Sequence, residues 1–119
     1  MDASEINKKW PLVIGHMEEL FGRKPDMNMI LLTIGIRELG LLKEKFTKEE
    51  KVKLMHLAVC RLFSESGFYV LKGVDVKGWP NWEKQQDLPY TDVFEQESLL
   101  RQHIVHYFQE EEIISFEEL

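Results

Sequence analysis

Apolar positions recur at helical spacing over four stretches of this chain, and one glycine-punctuated stretch breaks the rhythm. Pro11 suits a first helical turn, where its missing N–H costs nothing. A first helix is therefore predicted over 11–21, closed by Gly22, with the polar residues 1–10 loosely ordered. A start at Ser4 would instead place Pro11 inside the helix and kink it. The second helix, 26–39, has Asp26 as N-cap and Gly40 just past its end. Met29, Ile30, Leu31, Leu32, Ile34, Ile36 and Leu39 lie on nearly all its sides, the pattern of a buried central helix. Gly35 in its middle costs about 1 kcal/mol relative to alanine, and the expected return is close approach of a neighbouring backbone. A strand over Met29–Ile36 is the competing reading of so short an apolar run; the two caps favour helix.

The third helix, 47–66, opens on Thr47-Lys48-Glu49-Glu50, the spacing of a capping box, with Phe46 placed to pin the incoming chain. Val52, Met55, Val59 and Leu62 form its expected stripe, flanked by Leu54, Ala58 and Phe63, and Gly67 ends it. The fourth, 92–110, has Thr91 or Asp92 as cap and Val93, Leu100, Ile104, Tyr107 and Phe108 as its stripe. Residues 111–119 are expected to be loosely ordered, with Ile113–Phe116 either a short strand or a docked tail.

The break lies at 67–83, which holds three of the seven glycines and two of the three tryptophans. Phe68–Val74 has the length and residue types of a strand. Asp75-Val76-Lys77-Gly78 is a turn with glycine last, and Trp79–Glu83 returns as a strand that Pro80 confines to an edge. A two-stranded hairpin is marginal alone and must lean on the helices. The fold class is thus mainly α: about four helices in a compact bundle around a buried second helix, with a short hairpin or extended insert at 68–83. Residues 1–119 read as a single domain.

Composition narrows the setting. Hydrophobic residues make up 44% of the chain, too many for a disordered protein. Cys60, the one cysteine, has no internal disulfide partner, which points to a reducing, cytoplasmic location. No secretory signal is read, and the longest apolar run, Met29–Ile36, is far shorter than the roughly 20 residues of a membrane span. The net charge of −6 is uneven: residues 1–82 hold 13 basic and 11 acidic side chains, residues 83–119 hold 2 and 10. The acidic end is either a solvated surface or a segment that docks on a basic face, in the same chain or a neighbour. Lys43, Lys45, Lys48, Lys51 and Lys53 supply such a face, diluted by Glu44, Glu49 and Glu50. That charge balance argues against nucleic acid as a partner.

Motifs exclude more than they assign. Glycine-rich nucleotide loops, Cys-x-x-Cys, His-Glu-x-x-His and Gly-x-Ser-x-Gly are all absent. No glutamate stands three residues before any histidine, which removes a di-iron bundle. His103, His106 and Glu110 fall within about 60° of one another on the fourth helix and are the candidate ligands for a divalent transition metal. The plainer reading is a half-exposed helix face, and no cofactor is otherwise called for. His56 and Cys60, four apart on one helix face, are either a thiolate–imidazole pair or, in the plainer reading, a face on which Cys60 is a small buried core residue. Around the hairpin, Tyr69, Asp75, Trp79 and Trp82 are the candidate binding residues, weighed against a cover for the core. In a strand, Trp79 and Trp82 would face opposite sides. The function expected is a non-catalytic interaction or adaptor domain with a protein partner or a second copy as its target. A metal binder or small metal-dependent enzyme on His103, His106 and Glu110 is the first alternative, and a small-molecule module at the Trp79/Trp82 hairpin the second.

Overall fold

A computed structural model describes residues 2–41, 43 and 45–116. Among them are four helices and one antiparallel hairpin, in the order α1 (Ala3–Phe21), α2 (Met27–Leu39), α3 (Lys48–Ser64), β1 (Tyr69–Val74), β2 (Pro80–Lys84) and α4 (Val93–Glu110). The chain forms two compact units: residues up to Pro25 with those from Pro89 onward, and Asp26–Leu88.

The first unit pairs α1 with α4. α1 starts eight residues earlier than Pro11 would suggest, because Asp2 caps it by accepting a hydrogen bond from the Glu5 N–H at 2.9 Å. Ile6, Trp10, Val13 and Met17 then make one continuous stripe at helical spacing, half-buried in the first two and buried in the last two. Burial along that stripe carries the helix through Pro11, whose cost is a single lost backbone bond and some crowding. In α4, Asp92 is the cap, accepting from Glu95 N–H at 2.8 Å. Leu100, Ile104, Val105, Tyr107 and Phe108 are buried. Val93, placed on that stripe by its spacing, is instead exposed, since it sits in the first turn before the packed face begins. The tail folds back without forming a strand: Ile113 N–H donates to Phe108 O at 2.9 Å, and Phe116 is buried with the Lys9 ammonium 5.4 Å from its ring centre.

The second unit holds α2, α3 and the hairpin. Both helix caps of α2 form as their residue types dictate, with Asp26 accepting from Met29 N–H and Gly40 left-handed at φ 69°. Gly35 is buried where α3 crosses, and a Cβ there would overlap the carbonyl of Leu54. The two helices meet backbone to backbone at this point, closer than any side chain allows. Of the apolar set of α2, Met29 and Leu32 are half-buried and Ile36 is exposed. α3 begins with the full capping box: Thr47 N–H donates to Glu50 Oε1 at 2.9 Å, and Glu50 N–H to Thr47 Oγ1 at 3.1 Å. Lys43 adds a charged bond to the same carboxylate at 2.6 Å, and this with the Thr47 amide holds the Glu50 pKa down at about 2. Arg61 of α3 ties back to Glu38 of α2 at 3.3 Å.

The buried face of α3 is Leu54, Leu57, Ala58, Cys60, Leu62 and Phe63. It is rotated from the expected stripe, and Val52 is left 58% exposed. In the hairpin, Tyr69 pairs with Lys84, Val70 with Glu83 and Leu71 with Trp82, and then Lys72 forms a bulge before Gly73 pairs with Asn81 and Val74 with Pro80. The bulge shifts the alternation by one, so Val74 joins Leu71 on the face that carries Trp82. The turn is built on Asp75. Its Oδ1 accepts from the N–H groups of Lys77 and Trp79 at 2.8 and 2.9 Å, and its carbonyl from Gly78, which is left-handed at φ 89°. This is the three-residue loop in which glycine takes the left-handed position.

The Gly35 contact yields a direct prediction. Alanine elsewhere in a helix stabilises by about 1 kcal/mol, yet Gly35→Ala must push α3 away and is expected to destabilise by about 2 kcal/mol net. Urea denaturation measures it; a variant as stable as the parent, or more so, contradicts the close approach.

Candidate functional site

The second unit carries a cleft of about 840 Å³ between α3 and the hairpin. Its helical wall follows from spacing alone. Glu50, Lys53, Leu57 and Cys60 recur at i, i+3, i+7 and i+10 and so form one stripe, with Val52 and His56 beside it. The facing wall is the turn Asp75–Lys77 and the strand segment Trp79–Trp82. Leu57 at the base belongs to a core cluster with Leu39 and Leu54, and Trp79 and Trp82 both pack against that cluster.

The tryptophans therefore do not take opposite sides. Trp79 precedes β2 and is positioned by the Asp75 turn rather than by strand alternation, so both indoles reach the same core, each half-buried. The Trp82 Nε1–H is buried and has no hydrogen-bond partner among the described residues. An unpaired buried donor costs about 1–3 kcal/mol. Val52 and Val76 stand at the rim, the second fully exposed.

Charge in the cleft is unevenly compensated. Glu50 is held by Lys43 and Thr47. One oxygen of Asp75 is occupied by two backbone amides. Lys53 and Lys77 have no ion-pair partner among the described residues, and neither does the Asp75 carboxylate, so charge of both signs lines the cleft.

The candidate residues separate. Asp75, Trp79 and Trp82 come together in the cleft. Tyr69 does not; it is 8% exposed and stacks edge-on against His56 with ring centres 6.3 Å apart, which makes it core and removes it from the binding set. His56 Nε2 and Cys60 Sγ are 3.5 Å apart, and both line the cleft. The thiol is 1% exposed, and burial pushes its pKa up to about 11. A thiolate nucleophile needs the opposite shift, which argues against a catalytic dyad here.

His103, His106 and Glu110 lie elsewhere, on α4. His103 is buried and its Nδ1–H donates to Leu99 O at 2.7 Å, whereas His106 is half-buried and Glu110 exposed. The shared helical face is real, but the ring of His103 turns into the core while Glu110 stays in solvent. Among the described residues, no group of three or more His, Cys, Asp or Glu side chains is gathered as a metal site. No described helix is long and apolar enough to cross a membrane.

Sequence reasoning missed Val52, Lys53, Lys77 and Leu57 as neighbours of the tryptophans. The spacing of 50, 53, 57 and 60 was visible, but nothing in the chain says that the hairpin folds over that stripe. No protein family matches this chain, and neither a curated protein nor a solved structure does. The functional reading accordingly rests on the geometry of the cleft.

The raised thiol pKa is testable. Two pKa units correspond to about a hundredfold less thiolate near neutral pH. Iodoacetamide should therefore alkylate Cys60 at pH 8 at least about 100-fold more slowly in the native protein than in urea. Because the folded pKa lies above the unfolded value, the fold should also lose stability as pH rises from 9 towards 11. Native alkylation at the unfolded rate contradicts the burial.

Proposed function

We propose that this protein is a non-catalytic recognition module that takes a bulky apolar side chain of a protein partner into the cleft between α3 and the hairpin. The observation that carries the reading is the coincidence of three features in one place. Two half-buried tryptophans and Leu57 supply a flat apolar base, Val52 and Val76 an apolar rim, and Lys53 and Lys77 uncommitted positive charge. Tryptophan pockets edged by charge are where binding energy concentrates in protein interfaces.

The volume, about 840 Å³, is also within the range of small-molecule sites. The exposed valines at the rim favour a protein segment instead, because a small molecule would leave them in water while a peptide covers them. Thiolate catalysis is disfavoured by the chemistry present: the Cys60 thiol is buried and its pKa is raised.

Selection from a displayed random-peptide library tests the proposal. Enriched peptides should share a bulky apolar residue with Asp or Glu close by. Trp79→Ala should weaken their binding about 30-fold, and Lys53→Glu about tenfold at low salt. A selection without a common pattern, or peptides indifferent to both variants, overturns it.

A further inference from the structure

We infer that residues 111–116 form a strap that releases from the first unit as one piece, hinging at Glu112, while α1 and α4 stay folded. The end of α4 closes in a pattern that glycine normally completes. Ile113 N–H donates to Phe108 O at 2.9 Å, and Glu112 N–H donates to Gln109 O at 3.1 Å. These are the two bonds of a Schellman motif, whose left-handed position falls here on Glu112. Its φ is 54°, the one positive value outside glycine among the described residues. α1 and α2, by contrast, end on left-handed Gly22 and Gly40. A residue with a Cβ is strained in this region and glycine is not. The last turn of α4 also holds no basic residue, while Glu110, Glu111 and Glu112 place carboxylates at the negative end of its dipole. The bend that folds the tail back therefore runs against the preferences of its own residues.

What holds the strap down lies at its far end. Phe116 is 8% exposed, and the Lys9 ammonium stands 5.4 Å from its ring centre. The same ammonium donates to Gln109 Oε1 at 3.0 Å, and its Glu5 partner is more distant at 3.8 Å. One cation from α1 thus clasps both the ring of the strap and the last turn of α4. Between hinge and ring the hold is slight. Ile114 N–H reaches Phe108 O only at 3.4 Å, and neither Ser115 nor Phe116 makes a backbone–backbone hydrogen bond to a described residue. A segment with one anchor, one strained hinge and no ladder between them has two states. When the ring leaves, the hinge relaxes with it, the Lys9 ammonium is freed and the apolar surface under Phe116 is uncovered. Such an opening is local and does not require α1 or α4 to unfold.

Amide hydrogen exchange, read from proton–nitrogen spectra of the full chain, tests the strap. The Ile113 N–H should be protected at least about tenfold less than that of Val105, buried within α4, and its exchange should respond less to low urea. Glu112→Gly should raise the Ile113 protection about threefold, the relief of strain being partly offset by the freedom of glycine in the released state. Phe116→Ala should lower it at least about tenfold while Val105 stays protected, because ring and hinge move together. Ile113 exchange that matches Val105 in protection and urea response overturns the strap, since the tail then opens only with the whole fold. Ile113 protection unmoved by Phe116→Ala overturns release as one piece, and protection unmoved by Glu112→Gly overturns the hinge.

Discussion

The backbone contact between Gly35 and Leu54 is the constraint on which the second unit depends. A side chain at 35 would overlap the Leu54 carbonyl, so α2 and α3 approach as only a glycine permits. Leu54 then serves two partners at once. Its carbonyl faces α2, and its side chain joins Leu39 and Leu57 in the cluster that receives Trp79 and Trp82. Moving α3 outward by the width of a methyl group would move the surface on which both indoles rest. The Arg61–Glu38 pair reinforces the same crossing from its edge, a minor term for a partly exposed ion pair.

The hairpin inherits its position from that crossing. Two strands alone are marginal in water, and here the Lys72 bulge, the Asp75 turn and the two tryptophans together direct one face of the ribbon at α3. The ribbon does not close over the helix along its whole length. Tyr69 is buried at one end, whereas Val74 and Val76 remain exposed towards the tip. The cleft is the space left between them. Its tryptophans thus hold the hairpin down and also line the opening, which joins the two roles weighed against each other for this segment: cover for the core and surface for a partner.

What could be read from the chain was whatever depends on local chemistry. Asp26, Thr47 with Glu50, Asp92 and Gly40 set helix ends, because a cap is satisfied by residues within one turn. The close approach at Gly35 was legible from its conformational cost in an otherwise apolar helix, and the hairpin from its glycines and Pro80. What could not be read depends on contacts distant in sequence. The first turns of α1 look polar, yet Ile6 and Trp10 meet α4 and extend the helix through Pro11. Val52 and Val93 fit their stripes by spacing but lie beyond the packed faces. Tyr69 looks like a surface aromatic beside a turn, and burial against α3 makes it core. The cleft itself needs the ribbon's tilt over α3, which no periodicity encodes.

The α2–α3 contact sets the geometry of the cleft. The indole N–H signals of Trp79 and Trp82 in a proton–nitrogen correlation spectrum report on it most directly, with Trp10 of the first unit as an internal reference. In Gly35→Ala, the account predicts that both cleft indoles shift while Trp10 stays in place, although residue 35 is not among those lining the cleft. Unmoved Trp79 and Trp82 signals, in a variant whose α2 and α3 backbone signals do shift, would contradict it.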